Sequence, residues 1–147
     1  MSLEIETVLV PVDGSEASAD AAEYAVAIAD RYDAVLHVLY LVGDAVARGM
    51  EAGEIDGDRI AAESRVFVED VQAMASEPER VESSMAHGFS TVRKSRHPGS
   101  VVLDTAEELD ADFLVIPRES MGSEHGETLE KVAEYVLLYA SQPVLSV

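Results

Sequence analysis

The sequence predicts an open parallel α/β sheet with helices on both faces. First, five β-rich runs alternate with four segments of helical period. Second, the run "AVLHVLYLV" (34–42) is continuously apolar, as a strand covered on both faces must be. Third, the connections are too long for hairpins, so each helix provides a right-handed crossover between parallel strands.

Taken in order, "TVLVPVD" (7–13) is a strand ending at Asp13-Gly14-Ser15, where the period changes. Ala17, Ala21, Tyr24, Ala25, Ile28, Ala29 and Tyr32 then share one helical face, and Ser15 stands where a cap is needed. The 34–42 run is the second strand. Glycines at 43, 49, 53 and 57 space out a polar stretch without periodicity, which reads as a surface loop over 43–56. Ile60, Phe67, Val71 and Met74 predict a helix over 58–75, and 76–88 reads either as a short further helix or as an irregular connection. "FSTVRKS" (89–95) is a weak third strand, and "HPGS" opens a helix that turns Val102, Ala106 and Leu109 inward. "DFLVIP" (112–117) is the fourth strand. A clear stripe of Leu129, Val132, Ala133, Val136, Leu137 and Ala140 follows, and "PVLSV" is the last strand. With 147 residues, 48% of them apolar, no internal repeat and no linker, the chain reads as one domain over 1–147.

Charge narrows the function. The chain has 29 acidic residues against ten lysines and arginines, for a net charge of −19. A field of that sign repels phosphate backbones and anionic lipid, which argues against nucleic acid and membrane surfaces as partners. Only Lys94 and Lys131 are lysines, and the acids are scattered along the chain, a pattern that suits high intracellular salt and a halophilic host. There is no cysteine, so disulfides, thiolate catalysis and cysteine-bound zinc are excluded. The first 20 residues hold no basic residue and no apolar run is long enough to span a bilayer, so the expectation is a cytoplasmic protein.

In open sheets of this kind, ligands sit beyond the carboxyl ends of the strands where the strand order reverses. If the order is 3-2-1-4-5, that crevice lies between strands 1 and 4, and the loops at 13–15 and 117–127 would face each other across it.

The segment "VLVPVDGSEASADAAEYAVAIADRYDAVLHVLYLV" resembles the amino-terminal half of the universal stress protein A family, which opens on a Val-rich strand ending in Pro-x-Asp-x-Ser. "PGSVVLDTAEELDADFLVIP" and "KVAEYVLLYASQPVLSV" are similar to its second half in order and spacing, and 43–88 is the least family-like region. The resemblance implies a Rossmann-like fold, akin to the adenine nucleotide alpha hydrolases, with order 3-2-1-4-5. It also implies dimerisation through the last strand, with Val144, Leu145 and Val147 as candidate contacts. Pro143 and a covering helix would instead leave that edge blunted in a monomer.

Such families divide into members that bind ATP and members that do not. The binders carry G-x2-G-x9-G-[ST] after strand 4, whose glycines let backbone N–H groups approach the phosphates. Aligning "KVAEYV" with the close of that motif puts Pro117, Ser120 and Glu130 on its three glycines and Lys131 on its Ser/Thr. A shifted register does not help, because three residues separate Gly122 from Gly126 where the motif has two, and Gly126 is the last glycine of the chain. Pro117 has no N–H to donate. Glu130 brings an anion to a helix amino terminus, and Glu119, Glu124 and Glu127 add repulsion. The resemblance therefore implies a member that has lost the ATP motif and uses no cofactor, with ATP and magnesium as the alternative.

Asp13 matches the aspartate that lies near adenine and ribose in ATP-binding members, with Gly14 and Ser15 completing the loop; an Asp-Gly turn followed by a cap accounts for the same residues without a ligand. Arg118, Ser120, Ser123 and Lys131 could hold a smaller anion, or merely balance neighbouring glutamates. Arg93, Lys94 and Arg96 form the basic cluster of the chain, suited to an anionic partner or to guarding an edge strand. His37, His87, His97 and His125 lack metal-type spacing, and "GFSTV" (88–92) lacks the second glycine of a nucleophile elbow. No metal site and no catalytic set emerges. The expectation is a non-catalytic, dimeric stress-response or regulatory module. The alternatives are a nucleotide- or anion-dependent switch with weak ATPase activity, and a heterodimerising partner of an ATP-binding paralogue.

Overall fold

The computed structural model describes residues 3–87, 97–118 and 126–147, with the side chains of 126–128 excepted. It holds five parallel strands in the order β3-β2-β1-β4-β5: β1 (Thr7–Val12), β2 (Val35–Leu41), β3 (Val81–Ala86), β4 (Phe113–Ile116) and β5 (Val144–Ser146). The order is the expected one, with β3 and β5 at the two edges.

Alternate residues of the central strands feed two separate cores, because successive side chains leave a strand on opposite faces. Val8, Val10, Val12, Leu36, Val38 and Tyr40 pack against α1 (Glu16–Tyr32), α2 (Asp44–Glu51) and α3 (Gly57–Met74). Leu9, Leu39, Leu41, Leu114 and Ile116 pack against α4 (Pro98–Glu108) and α5 (Gly126–Tyr139). Covering β1, β2 and β4 on both sides explains why their sequences run apolar without alternation.

The helix starts follow from local chemistry. Ser15 caps α1 by accepting the Ser18 N–H at 3.2 Å, and Asp56 caps α3 by accepting the Asp58 N–H at 2.9 Å. His97 caps α4, its Nδ1 accepting the Gly99 N–H at 3.0 Å, with Pro98 at the first helical position. Asp33 ends α1 in the left-handed region at φ 53°.

Four expectations change. The stretch 43–56 is not a loop throughout, because it contains α2, which buries Val46 and Gly49. Gly49 is a packing position, since a Cβ there would meet the Ile55 side chain at 2.5 Å, and Gly53 makes the turn out of the helix at φ +75°. The helices of the described residues therefore number five, not four. The described part of the ambiguous segment 76–88, up to 87, contains a 3-10 turn (Pro78–Arg80) and then β3 itself, so the third strand is Val81–Ala86. The 89–95 run lies outside the described residues. Finally, Leu137 of the α5 stripe is 57% exposed, and Tyr24, Tyr32 and Met74 also face outward, because each falls on the flank of its helical stripe.

Candidate functional site

The carboxyl ends of β1 and β4 finish side by side, as the register Val8↔Phe113 and Leu9↔Leu114 requires. One wall of the mouth between them is the loop after β1. Asp13, 2% exposed, turns its Oδ1 back to accept the Ser15 N–H at 2.9 Å, closing an Asx-type turn. Gly14 sits at φ +87°, a region that glycine enters freely and other residues do not. Ser15 then caps α1, and the buried Ser18 hydroxyl donates to the Ser15 carbonyl at 2.9 Å. The turn is thus held by its own hydrogen bonds.

Tyr40, at the carboxyl end of β2, roofs this loop. Its hydroxyl lies 2.8 Å from where a Gly14 Cβ would stand, and its ring meets Phe67 of α3 edge-on at 6.2 Å. Burial raises the Tyr40 pKa, and the negative charges of Glu63 and Asp13 raise it further, so the phenol stays neutral in the physiological range. No sequence pattern points to Tyr40, because it belongs to a strand without alternation.

The opposite wall begins at Pro117. The next N–H along, that of Arg118, donates to the Val147 carbonyl at 2.9 Å and continues the β4–β5 ladder. The Arg118 side chain is exposed. Ser120 and Ser123, with Glu119 and Glu124, lie outside the described residues. Lys131 is half-buried on α5, and its charge acts on His97 at the start of α4. His97 stacks on Tyr135 of α5 with ring centroids 4.6 Å apart. Its pKa is lowered by burial first and by Lys131 second, with Glu134 opposing. The structure therefore brings Asp13, Gly14 and Ser15 into one loop and puts Arg118 at the end of a neighbouring strand. Lys131 joins the α4–α5 seam.

At the far edge, Val144, Leu145 and Val147 are half-buried. Leu145 and Val147 pack on the α1 side of the sheet, Val144 on the α4–α5 side. Val147 also lines a shallow cleft with Asp20, Glu23, Tyr24 and Ala27 of α1. Among the described residues no group of three or more histidine, aspartate and glutamate side chains is arranged to hold a metal ion. Nor is any described helix long and apolar enough to cross a membrane. Arg93, Lys94 and Arg96 lie outside the described residues.

The universal stress protein family model matches residues 4–147, which is nearly the whole chain. The protein belongs to the universal stress protein family. Universal stress protein MJ0531 of Methanocaldococcus jannaschii is 28% identical over 144 residues, covering 95% of this chain and 80% of that one. Among solved structures, universal stress protein UspA from Lactobacillus plantarum superposes with a TM-score of 0.75 at 25% identity, over 99% of both chains. A universal stress protein in complex with cAMP superposes at 0.68 and 24% identity, over 99% of this chain and 98% of that one. These likenesses agree with the five-stranded order and the two helical layers of this universal stress protein fold.

Sequence reasoning also missed a group at the β3 edge. His37 Nε2 lies 2.8 Å from Ser84 Oγ, and His37 Nδ1 lies 3.7 Å from Glu82 Oε2. No spacing in the chain advertises this, because the partners are 47 residues apart and meet only through the β2–β3 register.

Proposed function

We propose that this universal stress protein is a regulatory stress-response module that acts by recognition as a dimer, and that its crevice does not bind ATP in the motif-dependent manner. The observation that carries the reading is at the end of β4. Pro117 has no N–H, and the Arg118 N–H is already spent on the Val147 carbonyl at 2.9 Å. A phosphate cradle needs several convergent backbone N–H groups, and in the opposite loop the Ser15 N–H is held by Asp13 and the Ser18 N–H by Ser15. Ser120 and Glu130 on the remaining glycine positions support the same reading. A crevice without such a cradle would not orient a triphosphate for hydrolysis.

The dimer reading rests on β5, an edge strand of three residues whose apolar side chains are only half covered. Pairing of that edge across a two-fold axis would satisfy its free backbone groups. A heterodimer with an ATP-binding paralogue would use the same edge. A cytoplasmic setting and a high-salt host fit the net charge of −19.

A second reading is a switch driven by a smaller nucleotide or anion, using Asp13, Gly14, Ser15, Arg118, Ser120 and Lys131. It is favoured by the related structure in complex with cAMP, a ligand with a single phosphate to hold. Calorimetric titration of the protein with ATP and magnesium, and separately with cAMP, in molar potassium chloride separates the two. The first reading expects no saturable heat from ATP, and micromolar binding of ATP would overturn it. Saturable binding of cAMP alone would move the assignment to the second.

A further inference from the structure

The sheet edge opposite β5 carries a constellation that takes no part in the crevice. His37 stands in mid-β2 between Leu9 of β1 and Glu82 of β3, and is 8% exposed. Its Nε2 is 2.8 Å from Ser84 Oγ, while its Nδ1 faces Glu82 Oε2 at 3.7 Å. Glu82 and Ser84 are two apart on an edge strand, so they leave the same face of it, and both are exposed. The parallel register sets His37 opposite Glu82, leaving its outer nitrogen within reach of Ser84. A hydroxyl, an imidazole and a carboxylate thus stand in the order of a nucleophile, its base and the group that orients the base.

The environment suits those roles. Burial lowers the His37 pKa and Glu82 pulls it back up, the burial effect being the larger, so the imidazole is neutral near pH 7 and able to accept a proton. Its buried Nδ1 has no hydrogen-bond partner, and the carboxylate facing it is that of the exposed Glu82, 3.7 Å away. Catalytic hydrogen bonds are often long without substrate and tighten in the substrate or transition-state complex.

We propose that Ser84, His37 and Glu82 form a nucleophilic site that accepts acyl groups from small activated esters. Ser84 Oγ bonds to the acyl carbon as its proton passes to His37 Nε2, and the imidazolium so formed is stabilised by Glu82. The bond from carbon to the leaving oxygen then breaks, that oxygen takes the proton from Nε2, and an alcohol departs from an acyl-serine. Water repeats the exchange at the same carbon, giving its proton through His37 to Ser84 Oγ and releasing the carboxylic acid. The net reaction is hydrolysis. Exposure of Ser84 on an open edge selects the substrate class, since esters with a good leaving group depend least on N–H donors around the developing oxyanion. Ser84 and His37 are the catalytic residues, and Glu82 is a positioning residue.

The test is incubation of the full chain with p-nitrophenyl acetate, following p-nitrophenolate release and mapping the acetyl group by peptide mass spectrometry. The expected result is a burst of about one equivalent per chain with the acetyl group on Ser84, as acyl-enzyme accumulation requires. Ser84→Ala, an exposed change, should abolish the burst, and His37→Gln should slow it by about 100-fold or more. Glu82→Gln should slow it and Glu82→Asp recover part of the rate, with circular dichroism confirming that each variant is folded. Acetyl found on lysine, tyrosine or histidine with Ser84 unmodified would overturn the proposal. So would a folded Ser84→Ala variant reacting at the parental rate.

Discussion

The Tyr40 hydroxyl lies directly over Gly14, 2.8 Å from where a Cβ would project, so the end of β2 and the turn after β1 fit only because that position has no side chain. Gly14 is also held at φ +87°. Gly14→Ala should therefore destabilise the fold by about 1–3 kcal/mol, from a left-handed backbone joined to a steric clash. Urea denaturation measures it. Combining Gly14→Ala with Tyr40→Phe removes the clashing oxygen and should recover only part of the loss, because the backbone conformation remains unfavourable.

Gly99 and Tyr135 impose a similar constraint where α4 crosses α5. A Cβ on Gly99 would stand 2.3 Å from the Tyr135 Cβ, and side-chain rotation cannot relieve a clash with a Cβ. Gly99→Ala should force the helices apart and cost about 1–3 kcal/mol, as overpacking does. Thermal unfolding should show a lowered midpoint, and an unchanged midpoint would mean that the α4–α5 seam is looser than described.

Asp112 fastens the start of β4 to the start of β1. Its Oδ2 accepts the Glu6 N–H at 2.8 Å and the Thr7 N–H at 3.0 Å, while its own N–H donates to the Thr7 carbonyl at 2.9 Å. Asp112→Ala removes both bonds to the carboxylate and should cost about 1.5–3 kcal/mol in denaturant unfolding, the usual worth of hydrogen bonds to a charged group.

His97 makes stability depend on pH with a defined sign. In the folded protein its pKa lies below the ordinary 6.5, through burial and then the Lys131 charge, with Glu134 opposing. Its neutral Nδ1 also accepts the Gly99 N–H, a bond that protonation at that nitrogen would break. The unfolded chain therefore binds the proton more readily than the folded one. The His97 contribution is complete above pH 6.5 and is lost as pH falls from there through the lower folded value. His97→Asn keeps a capping side chain without titrating in this range, so its stability should fall less steeply between pH 7 and 5 than that of the parent. His37, also lowered by burial, contributes a slope of the same sign to both proteins.

How much of this was legible in the sequence depended on burial. The run from Thr7 through Ser15 into α1 was readable because a covered strand, an Asp-Gly turn and a capping serine each leave a local mark. β3 was not, because an edge strand in which only Val81 is buried has no apolar pattern to show. For the same reason the apolar pattern points a few residues downstream, to 89–95. The glycines of 43–57 suggested a loop, whereas Gly49 serves close packing within a helix and Gly53 the turn that follows it. Of the candidate site, Asp13, Gly14 and Ser15 stand out through their resemblance to the family's Pro-x-Asp-x-Ser strand end. Tyr40 over Gly14 and Ser84 against His37 depend on strand register, and no local pattern encodes that.

The unpaired side of β5 gives a prediction about assembly. Light scattering on the purified chain should report a dimer, and Val147→Asp, which places a charge beside the cleft formed with Tyr24, should shift it to the monomer mass. A parent that is monomeric at all concentrations would leave β5 as a blunted edge.

Whether the end of β4 can hold a triphosphate is answered by a paired nucleotide titration. The parent and a Pro117→Gly, Ser120→Gly, Glu130→Gly variant would each be titrated with ATP and magnesium by calorimetry under identical salt. The expected outcome is no saturable binding by the parent and measurable binding by the variant, whose glycines free backbone N–H groups for the phosphates. Micromolar binding of ATP by the parent would mean that the β4 end holds phosphates without those glycines.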